Sequence, residues 1–142
     1  MSEVISSITI DAPPEKVWEV VMDPTRFGEW VTIHRKLDSF SDGDMVQTLH
    51  LRGVNFHVHW ELVTCRAPRH AVWHGTGPAR SHAETEYRLT PVDGGTRFAY
   101  RNEFKAPLGP LGAIASRALV GGLPEREARA TLQNLKKLVE RS

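Results

Sequence analysis

Only one cysteine, Cys65, stands in 142 residues, which excludes an internal disulfide framework and a structural zinc site built from several thiolates. Charge of one sign is equally scarce. Eighteen basic residues oppose 17 acidic ones, for a formal net charge of +1, so the basic footprint that neutralises a phosphate backbone is missing and nucleic acid is not an expected partner. No apolar run reaches the roughly 20 residues of a bilayer crossing. The most apolar stretch, Gly109 to Leu123, carries Arg117 and reads as a half-buried helix, so stable membrane insertion is not expected. A charged leader with an apolar core and a small-residue cleavage site is absent as well, and the expected location is the cytoplasm. Repeats, low-complexity tracts and linkers are lacking. The length predicts one domain over residues 1–142, burying about 68–70% of the surface its unfolded form exposes.

What the chain does contain is a clear change of period. Ile8 and Ile10 alternate as in a strand, and Pro13-Pro14 with Glu15 then suits the first turn of a helix. Val17/Val21 and Trp18/Met22 repeat at helical spacing, while Asp23-Pro24 predicts a second short helix that places Phe27 and Trp30 on one face. From Met45 to Lys105 apolar and polar residues alternate, as in an antiparallel meander. One face of the first run takes Val54, Phe56, Val58, Trp60 and Leu62, the other Asn55, His57, His59 and Glu61. A second run covers His70 to Thr76. The third sets Ser81, Ala83, Thr85, Tyr87 and Leu89 against Arg80, His82, Glu84, Glu86 and Arg88; the fourth, after the Asp93-Gly94-Gly95 turn, sets Phe98, Tyr100, Asn102 and Phe104 against Arg97, Arg101, Glu103 and Lys105.

Past Pro107 the helical period returns, with one stripe at Leu111, Ile114, Ala115, Ala118 and Leu119 and a second at Ala128, Leu132, Leu135, Leu138 and Val139. Gly121-Gly122-Leu123-Pro124 between them predicts a break or sharp kink. The order implies an α+β fold: a curved antiparallel sheet of about seven strands wrapped around a long C-terminal helix, with two short helices after strand 1. A sheet that wraps a helix without filling the space leaves a cavity.

The Ile8 to Trp18 opening, Trp30, Gly94-Gly95-Thr96-Arg97 and Leu132 to Leu138 together resemble the SRPBCC superfamily of START-like, helix-grip proteins, in its polyketide cyclase/dehydrase and lipid-transport branch. That resemblance spans essentially the whole chain. Glu29 to His34, Gly53-Val54-Asn55 before Trp60, and Gly109-Pro110-Leu111-Gly112 with Leu132-Gln133-Asn134 are similar to an actinobacterial subgroup of toxins from type II toxin–antitoxin pairs. The resemblance implies a bacterial helix-grip protein binding or carrying a hydrophobic small molecule (lipid, polyketide or other polycyclic). Its alternatives are a cyclase/dehydratase and a toxin with an antitoxin-like protein partner.

Catalytic signatures are sparse. His57-x-His59, with His50 or His74 as a third ligand, is the nearest approach to a metal set, but the imidazoles lie opposite Phe56, Val58 and Trp60 and are expected to face water. No metal or cofactor is predicted. Adjacent Ser81 and His82 point to opposite faces of a strand, Cys65 reads as a small apolar filler, and Gly75-Thr76-Gly77-Pro78 reads as a turn without the rest of a phosphate loop. Glu84, Glu86 and Arg88 read as a charged ladder on the wet face. The inward face yields the candidate ligand-binding set: Trp30, His34, Phe56, Trp60, Trp73, Ser81, Thr85, Tyr87, Phe98, Tyr100, Asn102, Ile114 and Ala118. No residue is assigned a catalytic role; were the protein a cyclase, Tyr87, Tyr100, Asn102 and His34 would orient substrate and move protons.

Overall fold

In the computed structural model, which describes residues 2–51, 53–105 and 125–141, a single antiparallel sheet organises the chain. Its strands are β1 (Ser2–Ile10), β2 (His34–Ser41), β3 (Asp44–Leu51), β4 (Val54–Arg66), β5 (His70–Thr76), β6 (His82–Val92) and β7 (Gly95–Lys105). They lie in the order β1-β7-β6-β5-β4-β3-β2. Neighbours from β2 to β7 are consecutive in sequence, and the first strand closes the array by pairing with the last. Helix α1 (Pro14–Val21) and a 3₁₀-helix (Pro24–Glu29) follow β1, and α2 (Glu125–Arg141) ends the chain. This is the seven-stranded curved sheet with a C-terminal helix that the periodicity implies.

Local chemistry explains the opening. Pro14 occupies the first turn of α1, where its missing N–H costs nothing, and Glu15 meets the positive helix end. Val17, Val20 and Val21 form the buried stripe. Asp23 then caps the 3₁₀-helix, its carboxylate accepting from the Thr25 backbone N–H at 3.1 Å and hydroxyl at 2.5 Å. The tighter helix still puts the Phe27 and Trp30 rings edge to face, with centroids 5.9 Å apart.

Helix α2 buries Ala128, Thr131, Leu132, Leu135 and Val139 at helical spacing and packs chiefly on β1. Polar stitches fix its position. Lys136 Nζ donates to the Thr9 carbonyl at 2.8 Å, Glu140 accepts from the Asp11 backbone N–H at 2.8 Å, and Thr131 Oγ1 accepts from the Thr32 N–H at 3.1 Å. The first predicted apolar stripe and the Gly121–Pro124 break lie outside the described residues.

Several local expectations are revised. The meander begins at His34, well before Met45; alternation does not reveal β2 because it offers only Leu37 and Phe40 as large apolar residues and two register shifts disturb its period. Gly75 and Thr76 continue β5, and the turn that follows is a short 3₁₀-helix over Pro78–Arg80. Val54 is exposed at the start of β4. Cys65, expected as a small apolar filler, is exposed near the end of β4, beyond the register shift between Leu62 and Thr64.

Candidate ligand-binding site

Strand register assembles the wall of a cavity. Trp60 stands opposite Gly75, Trp73 opposite Thr85, Thr85 opposite Asn102, and Tyr87 opposite Tyr100. The sheet therefore carries its aromatic residues in adjacent rows. Gly75 is required there by space: a Cβ at this position would lie 2.8 Å from two atoms of the Trp60 ring and 2.9 Å from a Val58 methyl. Gly75→Ala is expected to displace the Trp60 indole and to cost about 1–3 kcal/mol of stability, checked by urea denaturation and the shift in tryptophan emission. Emission identical to wild type would show that the ring does not depend on the missing side chain.

The cavity measures about 70 Å³ of space open to the centre of a water-sized sphere. Since one water needs on the order of 10–15 Å³ by this measure, the space is larger than a single-solvent void. Among the described residues its wall comprises Phe27, Trp30, Val31, Ile33, Met45, Gln47, Leu49, Trp60, Trp73, Thr85, Tyr87, Tyr100, Asn102 and Thr131. None of these is an acid or a base with an ordinary titration near neutrality. Burial pushes the Tyr87 phenol strongly upward, helped by neighbouring Tyr100, and burial likewise raises Tyr100 against a smaller opposing hydrogen bond from Asn102. Both remain protonated.

The polar groups form short relays. Thr85 Oγ1 donates to Asn102 Oδ1 at 3.3 Å, which leaves the Asn102 amide N–H groups to serve Tyr100. Trp60 Nε1 donates to Gln47 Oε1 at 2.9 Å, and Gln47 Nε2 lies 2.8 Å from His34 Nδ1. By contrast, the indole nitrogens of Trp30 and Trp73 are buried with no hydrogen-bond partner among the described residues. A buried donor left unmade is costly, about 1–3 kcal/mol.

This arrangement has relatives. Residues 1–140 match the family described as polyketide cyclase / dehydrase and lipid transport. The chain belongs to that family. Among curated proteins, this polyketide cyclase/dehydrase family member is 27% identical over 142 residues to Toxin Rv0910 of Mycobacterium tuberculosis, spanning 94% of this chain and 95% of the relative. Among solved structures it is similar to a conserved protein from Geobacillus kaustophilus, with a TM-score of 0.75, 21% identity, and coverage of 99% and 96% of the two chains. It is also similar to the Zhui aromatase/cyclase from Streptomyces sp. R1128, with a TM-score of 0.76, 18% identity, and coverage of 98% and 93%. At these identities the solved structures establish the shared fold. No helix among the described residues is long and apolar enough to cross a membrane.

Within this family fold, the sequence-derived candidates separate. Trp30, Trp60, Trp73, Thr85, Tyr87, Tyr100 and Asn102 meet on the cavity wall. Phe98 lies behind it, fully buried, with its ring centroid 6.4 Å from Trp30 and 5.4 Å from Tyr87. His34, half-buried beside Phe27, reaches the wall only through Gln47. Phe56 is half-buried away from the wall, Ser81 is buried with its hydroxyl donating to the Pro78 carbonyl at 2.8 Å, and Ile114 and Ala118 lie outside the described residues. Gln47 was not among the candidates. Its signal was its place between Met45 and Leu49, which puts an amide in an inward row.

The opposite face is charged and internally paired. Arg101 donates to Glu86 at 3.1 Å, to Glu3 at 3.3 Å, to Glu103 at 3.4 Å, and to Glu84. His70 meets Glu86 at 2.5 Å and His74 meets Glu84 at 2.9 Å. His57 and His59 also face outward, bonded to Thr48 at 3.0 Å and Asp44 at 2.5 Å.

Proposed function

We propose that this protein binds a small, mostly apolar ring-bearing molecule with oxygen acceptors in the sheet cavity, and carries or senses it without chemical change. The observation that supports this reading is the character of the wall. Aromatic faces supply area for apolar burial. The protonated tyrosines, and the indole N–H groups of Trp30 and Trp73 that have no partner among the described residues, add donors that a carbonyl or ether oxygen would satisfy. No charged side chain from the described residues joins them, which disfavours a carboxylate or phosphate. Efficient proton transfer favours a group titrating near the working pH, and the wall offers none.

The test uses N-phenyl-1-naphthylamine, a neutral apolar fluorophore. Trp60→Ala is expected to weaken its binding about tenfold or more, whereas outward-facing His57→Ala leaves it unchanged. Equal affinities in the two variants, with circular dichroism showing both folded, would remove the cavity from the account. A second reading, a toxin acting through a protein partner, rests on the name of the Mycobacterium tuberculosis relative. It requires no occupant in the cavity.

A further inference from the structure

The chain of bonds from Trp60 through Gln47 to His34 has a direction that chemistry fixes. An indole N–H can only donate, so the Gln47 atom 2.9 Å from Trp60 Nε1 must be the carbonyl oxygen. The amide nitrogen is therefore the atom 2.8 Å from His34 Nδ1, and Nδ1 must accept. Neutral His34 consequently carries its proton on Nε2. A protonated imidazole has no acceptor left. Its Nδ1–H would face the Gln47 NH₂, donor against donor, unless the amide turned over and presented its oxygen to His34. That turn would set the NH₂ against the Trp60 indole, whose N–H has no other hydrogen-bond partner among the described residues. Gln47 is 4% exposed and Trp60 7%, and both line the cavity, so once a ligand fills it no water is at hand to repair either loss.

We propose that Trp60, Gln47 and His34 form a proton-linked latch on the cavity wall: neutral His34 holds Gln47 and Trp60 in the binding arrangement, and protonating His34 reverses the Gln47 amide and weakens ligand binding. The inference rests on the cavity-binding reading and specifies how that site is regulated. Gln47 acts as a positioning residue; His34, off the wall, is the proton acceptor. The surroundings agree. Burial lowers His34 below the ordinary imidazole value, with Asp38 on its own strand opposing more weakly. From the 3₁₀-helix His34 meets Phe27 and Gly28, while Arg26 and Glu29 on that helix pair with each other at 2.9 Å. From β3 it meets uncharged Gln47 and Leu49, and Glu127 on α2 is engaged by Thr32 at 2.5 Å. The linkage has one sign: a ligand that favours neutral His34 binds more tightly as pH rises through the His34 titration. A one-unit shift of that titration on binding corresponds to about a tenfold change in affinity.

Two measurements decide it. Nitrogen-15 NMR of the imidazoles at pH 8 should find His34 in the Nε2–H form, and the Trp60 indole N–H resonance should shift with the His34 titration in wild type but not in Gln47→Leu. N-phenyl-1-naphthylamine should bind more weakly at pH 5 than at pH 8, by up to about tenfold for a one-unit shift, and Gln47→Leu should remove that difference. An Nδ1–H tautomer, an indole resonance that ignores His34, or a pH dependence undiminished in Gln47→Leu would each overturn the latch. Absence of probe binding at both pH values would instead defeat the cavity-binding reading, and the two NMR results would still decide the latch.

Discussion

Replacing Trp30 with alanine is expected to cost about 3–5 kcal/mol of unfolding free energy, the upper range for large-to-small changes in a core. Trp30 is 1% exposed and joins elements distant in sequence. Its ring lies 5.9 Å from Phe27 on the 3₁₀-helix, 6.2 Å from Tyr87 on β6 and 6.4 Å from Phe98 on β7, centroid to centroid. Its carbonyl also receives Asn134 Nδ2 of α2 at 3.4 Å. An alanine there leaves a void that three rings cannot fill without giving up their own packing. Against a typical stability of about 5–15 kcal/mol, the loss brings the chain close to unfolding. Trp30→Phe should cost much less, since it keeps a ring and removes an indole donor that has no partner among the described residues. Denaturant titration of the two variants separates the contributions. Equal losses would mean that the indole nitrogen matters more than the ring volume.

The second large effect belongs to the outer face. Arg101→Leu removes the cation that, among the described residues, Glu3, Glu84, Glu86 and Glu103 share, and leaves four carboxylates close together. Stripping a partner from a fully buried pair costs about 3–5 kcal/mol. Here the side chains of Arg101 and Glu86 retain 25% and 15% exposure, so solvent screens part of the loss and about 1–3 kcal/mol is expected. The pH dependence distinguishes this from lost packing. Burial acts to raise the Glu86 carboxyl, but hydrogen bonds from His70 and Arg101 outweigh it and hold the group below its ordinary value. A carboxyl lowered by folding stabilises the native state above its unfolded pKa, and that contribution disappears as pH falls through the lowered value. The gap between wild type and Arg101→Leu should therefore be widest near pH 7 and narrow toward pH 3. A constant gap would assign the effect to the aliphatic stem.

Legibility in the sequence followed the strength of the physical signal. Strands β6 and β7 were readable because one face is dry and the other charged, so Thr85, Tyr87, Tyr100 and Asn102 could be placed inward by counting twos. Proline and aspartate marked the starts of the two short helices, although six residues containing Gly28 settled into the tighter 3₁₀ form. Strand β2 was obscured by register shifts between His34 and Lys36 and between Leu37 and Ser39, which break the period on which recognition depends. Gln47 escaped for a different reason. A glutamine carries no hydrophobic signal, and what keeps it inside is a bond to an indole on the neighbouring strand, a pairing visible only once Met45 is known to lie opposite Trp60.

Strand parity gives this molecule a way to change. Thr85 and Tyr87 look into the cavity, while Glu84 and Glu86, one position away, hold the charged ladder that ties β5, β6 and β7 together. Substitutions in the inward row alter what fits inside with little coupling to that ladder, so far as separate sites add. A lineage could thus revise the shape of the cavity one inward position at a time while inheriting the scaffold intact.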